Sequence, residues 1–208
     1  VLAALLWPEV AETTGRSNLR RHLHELKRIL PATVEDQPWI VVDSTTVQWN
    51  PAAPFWLDVA EFEAAAASPA TWPSAVALYT GDLTPNLYDD WLFYPREQLR
   101  SCFFDRLTQL IDRMHAAGDR SAAIGYAQTA LRHDPMREDV VRQLMTLRFE
   151  NGDRAGALQE YHRFEQQLRI ELEVAPMVET SALYDSIARH KAASAPRERA
   201  NPSAAPLH

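Results

Sequence analysis

Four polar side chains with anion-binding capacity recur along one side of a short amphipathic segment. Over Ser17–Leu30, Leu19, Leu23, Leu26 and Leu30 follow the i, i+4, i+7, i+11 spacing of a single helical face. Ser17, Arg21, His24 and Arg28 fall on the opposite side, flanked by Arg20 and Lys27. The chemistry suits a phosphate backbone. Arginine offers paired donors to phosphate or to guanine edges, and lysine brings a compact charge. On its own, however, such a pattern is also the ordinary solvated face of a surface helix. Spacing leaves both readings open, and it does not divide the basic residues between bases and phosphates.

The other chemistry-bearing residues are scattered. His22, His24, His115, His133, His162 and His190 show no HExxH or other paired ligand spacing, so no metal site is expected. Cys102 stands alone, which excludes an internal disulfide and any multi-cysteine metal site. His133-Asp134 is a dipeptide also met in phosphohydrolases, yet it sits where Asp134-Pro135 closes a helical unit. Asp89-Asp90 reads as a helix start rather than an acid–base pair. There is no glycine-rich phosphate loop, hence no nucleotide site. Trp49, Trp56, Trp72 and Trp91 are assigned to core and junction packing. Neither catalysis nor a cofactor is expected.

The elements that must position the basic face follow from local pattern. Val1–Trp7 is a short apolar helical piece that Pro8 helps to end. Trp39–Val42 and Thr45–Trp49 are β-branched and aromatic runs around Asp43-Ser44, predicting a hairpin over residues 38–50 packed near the Ser17–Leu30 helix. Pro51 and Pro54 mark a junction. Asp58 reads as an N-cap, with Glu61 completing a capping box.

Helices are predicted over roughly 58–67, 73–80, 89–116, 119–132, 136–150, 153–171 and 179–190, with a kink or fresh start near Pro95. A repeat runs through them. Gly118-Asp119-Arg120 aligns with Gly152-Asp153-Arg154 at a spacing of 34 residues, Ala123 with Ala157, and Ala127 with Tyr161. A 34-residue period with glycine at a turn and alanine in the next helix resembles a tetratricopeptide (TPR) helix pair. The aspartates at these turns are expected to cap the following helix.

Composition sets the outer bounds. The 208 residues fit one large domain or two smaller ones, and 46% hydrophobic content is ordinary for a packed core. No apolar run reaches membrane-span length, and a cytoplasmic setting is expected. Residues 1–30 hold five basic residues (Arg16, Arg20, Arg21, Lys27, Arg28) against three acidic ones (Glu9, Glu12, Glu25). That +2 balance leaves −9 for the remainder of a chain whose total is −7, so only the front is suited to a polyanion. The chain opens on Val1 inside a helical pattern and reads as part of a longer protein.

The ordered set of motifs resembles the bacterial transcriptional activator domain family, the SARP-type regulators. Leu5-Leu6-Trp7-Pro8 is similar to that family's Leu-Trp-Pro segment ahead of the recognition helix. Ser17-Asn18-Leu19-Arg20 is similar to the opening of that helix, and Leu26-Lys27-Arg28 to its close. Trp56-Leu57-Asp58 with Phe62 resembles the start of the activation domain. Leu78-Tyr79-Thr80-Gly81-Asp82-Leu83, then Trp91, Arg96 and Leu99, continue it. Leu172, Val174, Pro176, Glu179-Thr180 and Leu183-Tyr184 match its end. Glu173 stands where the family commonly has glycine, and Pro95 is unusual in its helix.

The resemblance implies a mainly α protein. Residues 1–50 would form a partial winged helix-turn-helix with a β-hairpin wing, lacking its N-terminal strands. Residues 51–191 would form a TPR-like activation domain, and 192–208 a disordered tail or linker. It further implies binding of repeated promoter elements on double-stranded DNA, often as a homodimer, and recruitment of RNA polymerase. Ser17, Arg20, Arg21, His24, Lys27 and Arg28 would be the DNA-binding residues. The competing expectation is a TPR-type scaffold that does not bind DNA.

Overall fold

A computed structural model describes residues 1–32 and 37–190. The expected tail at 192–208 lies outside the described residues. The front of the chain contains α1 (Leu2–Leu6), α2 (Glu12–Ile29) and a hairpin of β1 (Ile40–Val42) and β2 (Val47–Trp49). The strands pair antiparallel with Ile40 opposite Trp49, Val41 opposite Gln48 and Val42 opposite Val47. They are shorter than the apolar runs because the turn claims Asp43–Thr46. The Asp43 carboxylate accepts from the backbone N–H groups of Thr45 (2.7 Å) and Thr46 (2.8 Å), and from both threonine hydroxyls. Those donors, led by the Thr46 hydroxyl, hold the carboxyl well below the usual carboxylate range. At the open end Asn50 is buried. Its backbone N–H donates to Trp39 O, its Nδ2 to Pro38 O, and its Oδ1 accepts from Ala52 N.

Helix α2 begins at Glu12, five residues before the predicted Ser17. Thr13, Thr14 and Gly15 are weak helix formers, which conceals the start in the sequence. Tertiary packing reverses that preference. Gly15 is buried, and an added Cβ there would lie 3.6 Å from Ala3 O and 3.7 Å from Val10 Cγ2. These are ordinary contact distances, so Gly15 marks the packing of α2 on α1 without being required by it.

From residue 58 every regular element among the described residues is helical. These are α3 (Asp58–Ala66), α4 (Trp72–Leu78), a 3-10 turn (Asp90–Leu92), α5 (Phe93–Ala116), α6 (Arg120–His133), α7 (Glu138–Glu150), α8 (Arg154–Glu171) and α9 (Val178–Arg189). The 34-residue repeat appears as two equivalent turns. Gly118 and Gly152 adopt φ of 79° and 84°, in the left-handed region that favours glycine. Asp119 N donates to Met114 O and Gly118 N to His115 O. Asp153 N and Gly152 N do the same to Arg148 O and Phe149 O. Each set closes a Schellman motif. The same aspartates cap the next helices, Asp119 accepting from Ala122 N at 3.0 Å and Asp153 from Gly156 N at 2.8 Å. With only three residues at each turn, α5/α6 and α7/α8 fold back and pack as antiparallel pairs. The aligned alanines explain the closeness, since Ala123, Ala127 and Ala157 are fully buried.

One core joins Phe62, Phe103, Leu107, Ile111, Ala123 and Leu144, and a second joins Val141, Met145, Tyr161, Phe164, Leu168 and Ile187. Helix α7 serves both, directing Val140, Leu144 and Leu147 into the first and Val141 and Met145 into the second.

Three details differ from the sequence reading or sharpen it. The N-cap of α3 is Leu57, and the Asp58–Glu61 capping box does not form. Both acids instead sit in the first turn, where they complement the helix dipole. Pro95 is the third residue of α5, where its missing N–H has no intrahelical acceptor to lose, so the helix starts afresh at Phe93 without a kink. Glu173, at the glycine position of the family pattern, keeps the left-handed turn with φ of 58°. A side chain in that region costs about 1–2 kcal/mol. Glu173→Gly should therefore raise the unfolding free energy by about 1 kcal/mol after the added freedom of the unfolded chain is set against it. Urea denaturation followed by circular dichroism measures this, and no gain would mean the turn relaxes elsewhere.

Candidate nucleic-acid interface

Helix α2 separates its side chains by environment. Leu19, Leu23, Leu26 and Leu30 are half-buried. With Leu2, Leu6, Trp7, Ile40 and Val47, the first three line a cavity of about 340 Å³ between α1, α2 and the hairpin. The hairpin thus lies across this cavity from the leucine face. In β1 the inward residue is Ile40, 5% exposed, while Val41 is 38% exposed, so the alternation expected through Trp39 and Val41 is displaced by one residue, and Trp49 is exposed as well. His22 borders the same cavity and stacks on Trp7, ring centroids 5.5 Å apart and planes 13° apart.

All six expected contact residues, Ser17, Arg20, Arg21, His24, Lys27 and Arg28, are exposed. At 100° per residue, Ser17, Arg21, His24 and Arg28 fall within an arc of about 60° directed away from the leucines. Arg20 and Lys27 lie nearer the leucine edge. The ion pairs of α2 among the described residues are Arg16–Glu12 and His22–Glu25, and neither involves the six. The structure thus brings the basic strip together on one rigid element beside a hairpin, with its cations uncompensated among the described residues. Arg16, the remaining basic residue of the front, is held by Glu12 and separated from the strip.

Of the tryptophans assigned to core and junction packing, only Trp72 packs against the core, and Trp49, Trp56 and Trp91 are exposed. His133 and Asp134 do resolve into packing. The His133 ring meets Phe103 at 4.7 Å and Tyr79 at 5.6 Å edge-on, and burial pushes its imidazole below the ordinary value. Asp134 accepts from Arg100 at 3.0 Å. Among the described residues no three potential metal ligands lie together. No helix among them is long and apolar enough to cross a membrane. Asn50 is the site-supporting residue that pattern reasoning missed; an isolated asparagine after a strand carries no periodic signal.

The family model of the bacterial transcriptional activator domain matches residues 57–188. The chain belongs to this family of bacterial transcriptional regulators. The fold is similar to that of Mycobacterium tuberculosis EmbR, solved in complex with a low affinity phosphopeptide, with a TM-score of 0.57 and 20% sequence identity. That likeness covers 93% of this chain and so extends beyond the activator domain, but this chain spans only 55% of the EmbR chain. No curated protein sequence matches. The family membership agrees with the resemblance carried by the motifs, and the EmbR-like fold agrees with the SARP-type architecture.

Proposed function

We propose that this chain is the body of a DNA-binding transcriptional activator. In this reading residues 1–50 are a partial winged helix-turn-helix, with α2 as recognition helix and the hairpin as wing. Residues 51–191 form the TPR-like domain that contacts RNA polymerase. The protein acts in the cytoplasm, as a homodimer on repeated elements of double-stranded promoter DNA. The observation that carries the reading is the strip of Ser17, Arg21, His24 and Arg28, exposed while the opposite leucine face is half-buried and turned toward α1 and the hairpin. A strip about three turns long, backed by an apolar face, can enter a major groove without exposing its core. Ion pairing to phosphates releases counterions, so affinity must depend on salt.

The test is a salt titration of the full-length protein on promoter duplexes. The logarithm of affinity should fall linearly with the logarithm of salt, by about 0.9 for each phosphate neutralised. Replacing a phosphate-contacting basic residue, with Arg20 and Lys27 the first choices, should flatten that slope by about one unit. Affinity that ignores both salt and these substitutions would leave a helical-repeat scaffold as the better reading.

A further inference from the structure

Between α4 and α5 the chain crosses a segment that is fastened on one side and bare on the other. Arg96, one turn into α5, donates Nε to Leu83 O at 2.9 Å, and Nη2 to Thr84 O at 2.9 Å and Leu87 O at 3.0 Å. Thr84 is held at φ 45°, a left-handed conformation that a β-branched residue adopts only when its surroundings impose it. Leu92 anchors the far end and is 2% exposed. Strain and a three-carbonyl clamp together fix this loop in one shape.

The outer side of that loop is aromatic and acidic. Tyr88 is 88% exposed, Phe93 68% and Tyr94 69%, with Leu87 and Trp91 also open to solvent. Asp89 and Asp90 are exposed, form no ion pair among the described residues, and neither carboxylate caps the 3-10 turn that they begin. Exposed aromatics in a preorganised loop are the residue types that dominate binding energy at interfaces. The acidic pair selects the partner. It repels phosphate, which excludes nucleic acid. A two-fold contact between copies would place the same acidic patch on both sides. The complementary surface is therefore a basic protein face with an apolar cleft.

We propose that Leu87–Tyr94 is the surface through which this protein docks on a basic, apolar-clefted face of RNA polymerase. The choice of polymerase rests on the proposed function; the location and chemistry of the surface rest on the loop. Purified RNA polymerase holoenzyme is titrated against the full-length protein and two variants, Tyr88→Ala with Tyr94→Ala, and Asp89→Lys with Asp90→Lys. Binding should weaken at least tenfold in each variant, while helix content stays unchanged in both and affinity for duplex DNA stays unchanged in the tyrosine variant, which alters no charge. If the unmodified protein does not bind polymerase, the polymerase reading falls and this inference with it. If it binds and both variants bind equally well, the inference alone is overturned. Self-association of the unmodified protein that both variants abolish would also overturn it, making a second copy the occupant.

Discussion

Phe103→Ala should destabilise the helical domain by about 3–5 kcal/mol, the range for truncating a large buried aromatic. Phe103 is fully buried. Its ring stacks on Tyr79 with centroids 4.2 Å apart, and meets Phe104 at 5.2 Å and His133 at 4.7 Å edge-on. Tyr79 ends α4 and His133 ends α6, so one side chain of α5 ties three helices. The same burial, reinforced by the hydrogen bond from Tyr79 Oη to Asp82 Oδ1 at 2.9 Å, raises the phenol above its ordinary value. A cavity in this cluster cannot be refilled by flexible neighbours, because Leu107 and Ile111 are themselves fully buried. Thermal unfolding should show a midpoint lowered by roughly 10–20 °C. Phe93→Ala, ten residues earlier on the same helix and 68% exposed, should change stability by less than about 1 kcal/mol. Equal effects from the two substitutions would refute the assignment of Phe103 as the joint between α4, α5 and α6.

The parts of the fold that were legible in the sequence are those fixed by local geometry. Gly118 and Gly152 recur because two turns require the same left-handed residue, and Asp119 and Asp153 follow because the next helix needs an acceptor at its N-terminus. The leucine spacing of α2 also determined which residues face outward. What escaped were effects that join distant residues. The first turn of α2 buries Gly15 beside Ala3 and Val10 of the preceding segment, packing that propensity does not see. The Arg96 clamp acts across 9 to 13 positions on carbonyls that any residue could supply. Glu173 adopts a glycine-like turn that its own side chain does not signal. At the candidate interface, the sequence pattern placed six polar residues together, but the stacking of His22 on Trp7 and the pairing of Arg16 with Glu12 required coordinates.

Arg21→Ala combined with Arg28→Ala should remove most specific DNA binding by the full-length protein. The two residues are seven positions apart, so they stand about 10.5 Å from one another along α2, roughly the rise of three base pairs. Both point away from the leucine face, into the space a groove would occupy. An arginine that reads a base edge contributes about 1–3 kcal/mol of discrimination. Two such residues that share no ion-pair partner among the described residues should add, giving a loss of about 2–6 kcal/mol. The loss should be larger on the specific duplex than on a scrambled one, because base contacts vanish along with charge. Arg20→Ala and Lys27→Ala, at the flank of the strip, should weaken both duplexes alike and mainly flatten the salt slope. Neither pair of substitutions touches the helix core, since all four side chains are exposed, so helix content serves as the control for folding. Retention of both affinity and specificity by the Arg21/Arg28 double variant would show that α2 is not the recognition helix. The basic strip would then be a solvated face, and the helical repeats, rather than the front of the chain, would be where this protein meets its partners.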